Sequence, residues 1–211
     1  MEERKNMEWV RFLIYWFGGT TIGRPYPSRE KSFSVFLWVV LAITACTYAQ
    51  ELLHEVGHLV FGHLSGYRFR AFRLGSILWI RTDKGVERKR MRFAGTSEHL
   101  LMSPPEGDEK KISCGWYLMG GVLMSLLSVL VALALYYAFR SREVLAWFLR
   151  MWMIIGAATV LINGIPLRLM EGDNDGRRAR AVYASREAKR AFLAQMRVND
   201  FLSEGGRIRD V

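Results

Sequence analysis

Phe33-Ser34-Val35-Phe36-Leu37-Trp38-Val39-Val40-Leu41-Ala42-Ile43, running on to His54-Glu55-Val56-Gly57-His58-Leu59-Val60-Phe61, is the stretch on which the reading of this chain turns. From Phe33 to Leu64 there is no Lys or Arg, and the only carboxylates and imidazoles are Glu51, Glu55, His54, His58 and His63. About 20 apolar residues suffice to cross a bilayer. Ionisable groups inside such a segment are costly, so a functional site is their default explanation. Residues four apart on a helix lie about 40° apart around the axis, which puts His54 and His58 on one face. Two imidazoles so placed can chelate one zinc ion, and Glu55 beside them can take a proton from water activated there. The competing account is a soluble helix with solvated His and Glu. Three of the four His of the chain fall in this one apolar stretch, and apolar residues flank the motif on both sides, which argues against it.

Composition agrees with a membrane protein. The 211 residues are 51% hydrophobic and 13% aromatic, more apolar than an average globular domain. The net charge of +10 resides outside the apolar segments, as expected for loops facing anionic lipid. No nucleic-acid recognition motif accompanies it, so nucleic acid is not expected as a partner. Cys46 and Cys114 fall at or within apolar spans and imply neither a disulfide framework nor a zinc pair. Nothing sets an oligomeric state. Residues 1–31 read as an interfacial segment rather than a cleavable signal peptide. Trp9 to Phe17 is short, contains Arg11 and is rich in aromatics, and Gly18-Gly19, Pro25 and Pro27 break it.

Three spans are expected, at about residues 33–64, 116–139 and 144–165. Arg150 in the third can snorkel to the nearby interface. Three spans put the 66–113 loop and the tail on one side. That side carries 11 Lys/Arg in the loop and 10 from Arg168 onward, against 8 in the N-terminal segment and the 140–143 turn. The positive-inside rule then makes loop and tail cytoplasmic and the N-terminus external. His54 lies about 32 Å along an ideal helix from Phe33, near the cytoplasmic edge of the hydrocarbon.

The loop after the motif reads as strands. Tyr67 to Leu74 alternates aromatic or apolar with basic residues; Ser76 to Arg81 follows, then a Thr82-Asp83-Lys84-Gly85 turn, then Val86 to Phe93. Such a hairpin or small sheet either anchors to lipid through Arg or offers an edge to an extended substrate segment. Residues 177–204 read as a basic amphipathic helix, ended by Gly205-Gly206, that lies on the cytoplasmic leaflet, packs on the loop sheet or binds a partner. The fold class is thus an all-α membrane protein with a three-span core (residues 32–176), a small surface sheet and an amphipathic tail (residues 177–211).

A catalytic zinc usually has three protein ligands. His63, five residues from His58, points elsewhere on a continuous helix, and His99 lies in the loop. Carboxylates just after the third span are better placed: Asp175 first, then Asp173, then Glu171.

Taken together, the H-E-x-x-H of the first span, Met119-Gly120-Gly121 in the second, Asn163-Gly164-Ile165-Pro166 closing the third and Asp175-Gly176 beyond it resemble the site-2 protease family of intramembrane zinc metalloproteases. The resemblance covers about residues 33–176. It implies zinc held by His54, His58 and Asp175, Glu55 as general acid/base, Asn163 holding the substrate or the oxyanion, and a membrane-spanning or membrane-bound peptide as substrate. The glycines would let spans pack closely. The family gap between Pro and Asp is shorter, and equal spacing would select Glu171. Asn174-Asp175-Gly176, Gly95-Thr96 and Leu101-Met102-Ser103-Pro104-Pro105 resemble a small bacterial subgroup with a longer insertion there. No PDZ domain fits in the chain. The rival class is a non-catalytic zinc-binding membrane protein: a sensor, a transporter, or a protease relative that only binds partners.

Overall fold

The computed structural model describes residues 29–74, 76–82, 85–90, 100–169 and 172–203, with backbone only at residues 29–35 and 74. Residues 1–28 of the expected interfacial segment, the Asp83-Lys84 turn, Gly95-Thr96, His99, Glu171 and Gly205-Gly206 lie outside the described residues. In chain order the elements are α1 (Arg29–Leu64), β1 (Arg68–Leu74), β2 (Ile77–Thr82), β3 (Gly85–Arg90), β4 (Leu100–Ser103), α2 (Gly115–Phe139), α3 (Glu143–Gly164), β5 (Arg168–Leu169), β6 (Gly172–Asp173), α4 (Asp175–Val182) and α5 (Arg186–Ser203).

Three of these helices are long and apolar enough to span a membrane: Phe36–Leu64, Gly115–Phe139 and Glu143–Gly164. In their most apolar stretches only 11%, 33% and 17% of the residues are buried. Side chains such as Trp38, Leu41, Leu130 and Leu161 stand more than half exposed. In water that much bare apolar surface would be strongly unfavourable, whereas lipid solvates it. The chain therefore fits a multi-pass membrane protein.

The chain divides into two compact units, and the division passes through all three long helices. The first takes α1 up to Leu52 together with Leu126–Thr159. Its interior holds Ala132, Ala146 and Met151, and one polar knot. Gln50, fully buried, donates to Ser128 Oγ (3.2 Å), and the Trp152 indole N–H reaches the same oxygen (3.4 Å). Gly156 leaves room for the Gln50 amide, since an added Cβ would come within 2.7 Å of Nε2. Away from water a polar side chain needs such partners, and here they link three helices.

The second unit comprises Leu53–Ser125 and Val160–Val211. Its sheet is fully antiparallel, in the order β3-β2-β1-β4. A bulge between Phe69 and Ala71 interrupts the β1–β4 register. The turn out of α1 is set by Gly66 at φ 87°, where a side chain would be strained. Gly66 N–H bonds His63 O and Tyr67 N–H bonds Gly62 O, a Schellman closure that buries Tyr67 under the sheet. Tyr67, Leu100, Met102, Ile112, Cys114 and Leu118 form one core with Val182, Leu193 and Met196 of the tail.

Two sequence expectations are corrected here. Strand β4, which overlaps Leu101–Pro105, joins the sheet although only three strands were expected; its Met102 and Ser103 are buried, and four residues give too short a pattern to detect. The tail is two helices, not one. Tyr183 caps α4, and Ser185 caps α5, accepting from Ala188 N–H at 3.0 Å. Of the three places the sequence left open for the tail, this structure has it packed on the sheet. Leu193 is fully buried, and Asp200 pairs with Arg70 Nε at 2.5 Å and accepts from Ser103 Oγ. Burying each large apolar side chain contributes about 1.5–3 kcal/mol, whereas the exposed pair of Arg197 with Glu109 contributes at most about 1 kcal/mol. Apolar burial thus decides the docking.

Candidate metal centre

His54 and His58 face the interior of the second unit and are 6% and 9% exposed. Each ring is oriented through its far nitrogen. His58 Nδ1 lies 2.7 Å from the Tyr117 carbonyl of α2. A carbonyl only accepts, so Nδ1 carries the proton and Nε2 is left with a bare lone pair, the tautomer a metal ligand needs. His54 Nδ1 lies 3.4 Å from Ser125 Oγ, about two turns further along α2. The two Nε2 atoms come within 3.1 Å of each other.

Two close approaches of α1 and α2 make this possible. A Cβ on Gly57 would come within 2.5 Å of Met124 Cβ, and one on Gly120 within 2.7 Å of the Gly57 carbonyl oxygen. The glycines of the H-E-x-x-H motif and of Met119-Gly120-Gly121 therefore face each other, as small residues do where spans touch. Gly121 makes room for the imidazoles instead. A Cβ there would sit 2.5 Å from His54 Nε2 and 2.6 Å from His58 Nε2, in the space the two rings occupy.

The third group is Asp175, the first residue of α4. Its Oδ2 lies 2.9 Å from His54 Nε2 and 3.2 Å from His58 Nε2. This oxygen is buried and makes no hydrogen bond of acceptable geometry. The three atoms make a triangle of edges 2.9, 3.1 and 3.2 Å. Ligands about 2.0–2.1 Å from a tetrahedral ion stand about 3.3 Å apart, so the triangle matches one face of such a polyhedron. A buried His54, His58, Asp175 group of this kind could hold a metal ion. Two imidazoles and a carboxylate suit several first-row divalent metals, zinc among them.

The other candidates among the described residues lie elsewhere. Asp173 is in β6 and pairs with Arg177 Nε at 2.9 Å, and His63 is exposed. Glu55 follows His54 on α1 and is half-buried; Asn163 is half-buried in the last turn of α3, its backbone carbonyl beside Gly176. Asp-Gly is a common turn signal, but Gly176 does not form a tight turn here. It has no positive φ and lies within α4, where its missing side chain lets the helix start pack on the Gly164 backbone. Sequence reasoning missed Ser125 and Gly121 as the residues that orient and accommodate the imidazoles. A buried Ser and a second Gly in an apolar run look like packing residues until their neighbours are known.

Gly121→Ala is expected to lower metal affinity at least about tenfold while helix content stays unchanged, because the added methyl must displace a ligand ring and Ala suits a helix. Gly164→Ala, whose Cβ meets only Val122 Cγ1 at 3.4 Å, is expected to bind metal as the parent does. Chelator competition on the purified proteins makes the comparison; equal affinity of both variants would refute this account of Gly121.

Comparison of the chain with protein-family models, with curated proteins and with solved structures gives no match.

Proposed function

We propose that this protein is a zinc-dependent intramembrane endopeptidase of the site-2 protease type, acting on membrane-embedded or membrane-proximal peptide segments. One observation carries the reading: His54, His58 and Asp175 converge in a chain with three helices of membrane-spanning length, and a carboxylate, Glu55, follows the first His. A zinc ion held there would supply hydroxide from water near neutral pH and polarise a peptide carbonyl. Glu55 takes the proton from the attacking water and returns it to the leaving amine. Asn163 donates to the carbonyl oxygen as negative charge develops on it. A substrate helix must first unwind, because its backbone is otherwise fully paired, and an outer strand of the sheet is suited to hold it extended.

The test compares membrane fractions of cells carrying the parent and Glu55→Gln. Intact substrate accumulates in the variant while its zinc content is unchanged. Equal peptide patterns together with zinc-dependent flux would instead identify a transporter, and equal patterns without flux a binding protein.

The proposal extends to topology. Loop 66–113 and the tail carry 21 of the 30 Lys and Arg, so they are expected on the cytoplasmic side. A cysteine introduced at Gly85 should be protected from an impermeant reagent in intact cells and labelled after permeabilisation. Labelling in intact cells would put the metal group at the opposite face.

A further inference from the structure

Asn174 precedes the third metal-site residue, is 6% exposed, and uses its side chain completely. Its Oδ1 accepts from Leu167 N–H and from Arg177 N–H, both at 3.0 Å. Its Nδ2 donates to the Ile165 carbonyl at 2.6 Å and to the Ile162 carbonyl. An Asn amide has two donors and two acceptor sites, and all four are engaged. The amide orientation is therefore unambiguous: turned over, NH2 would meet two N–H groups and the oxygen two carbonyls. The backbone joins in, with Asn174 N–H on Leu167 O at 3.2 Å and Arg178 N–H on Asn174 O at 2.9 Å.

These bonds do three things at one point. They satisfy carbonyls at the end of α3, where Pro166 prevents the helix from continuing. They cap α4. They also hold Leu167 against Asn174, so that the paired strands β5 and β6 lie between two fixed ends. We propose that Asn174 is a positioning residue for the metal centre: by tying the end of α3 to the start of α4 it aims the Asp175 carboxylate at His54 and His58, whatever the length of the hairpin between them. A simple cap would accept Ser or Asp equally well. This staple accepts neither, since Ser is too short to reach both carbonyls and Asp has nothing to donate to them.

The inference rests on the metal-centre reading, and the experiment separates the two. Zinc affinity is measured by chelator competition on detergent-purified parent, Asn174→Ser, Asn174→Asp, Asp175→Ala, the Asn174→Ser/Asp175→Ala double variant and His54→Ala, with helix content checked by circular dichroism. The expected result is a loss of about 10- to 100-fold in both Asn174 variants, as for other residues that orient a ligand. The double variant should bind no more weakly than Asp175→Ala alone, because a residue acting only through Asp175 has nothing left to position. Affinity unchanged in Asn174→Ser, or losses that add in the double variant, would overturn the proposal. Should Asn174→Asp fail to fold, Asn174→Ser and the double variant decide. Zinc retained in His54→Ala would instead refute the metal centre itself.

Discussion

Glu55→Gln is expected to keep its metal and lose peptide hydrolysis by about 10²–10⁴-fold, the usual contribution of a positioned general base. Gln has the size and helix preference of Glu, and Glu55 is not one of the three converging groups, so neither the fold nor the metal group should change. What disappears is the ability to accept a proton from the attacking water and to hand it to the amine. Two assays on one preparation are needed: zinc content, and cleavage of a membrane-inserted peptide followed by mass spectrometry. Cleavage at the parent rate with zinc in place would remove Glu55 from the chemistry and the endopeptidase reading with it.

Asp175→Asn is expected to weaken zinc binding by more than about 100-fold, beyond the range for outer-shell partners, and to abolish activity. The carboxylate is the only anionic member of the group, and its Oδ2 faces both imidazole nitrogens within 3.2 Å without another partner. An amide oxygen is a poorer ligand and brings no charge. The contrast is Asp173→Asn, two residues away on β6, which breaks only a part-exposed pair with Arg177 and should leave zinc and activity essentially intact. Glu171→Gln completes the series. If it lost zinc while Asp175→Asn stayed active, the shorter family spacing would have been the right guide to the ligand.

The parts of this molecule legible in its sequence are those governed by composition and short-range period. Three apolar runs of membrane-spanning length need no tertiary information, because a helix in lipid must satisfy its own backbone and present apolar side chains all round. Helical periodicity alone puts His54 and His58 on one face. The alternation from Tyr67 to Leu74 likewise announces a strand.

Whatever depends on groups distant in sequence became visible only in three dimensions. The Asp175-Gly176 resemblance ranks Asp175 ahead of Asp173, but only packing sets its carboxylate beside the imidazoles, through the β5–β6 pairing and the four bonds of the Asn174 amide. No pattern marks Ser125, Gly121 or the Tyr117 carbonyl as neighbours of the histidines, since each is an ordinary member of an apolar helix until α1 packs on it. The tail reads as a single amphipathic helix because its apolar spacing barely falters at Ser185. That it breaks there and lies on the sheet was decided by Val182, Leu193 and Met196 finding a core supplied by Tyr67, Met102 and Leu118. Local period is written in neighbouring residues, whereas the partner that completes a buried polar group or an apolar face is chosen by packing.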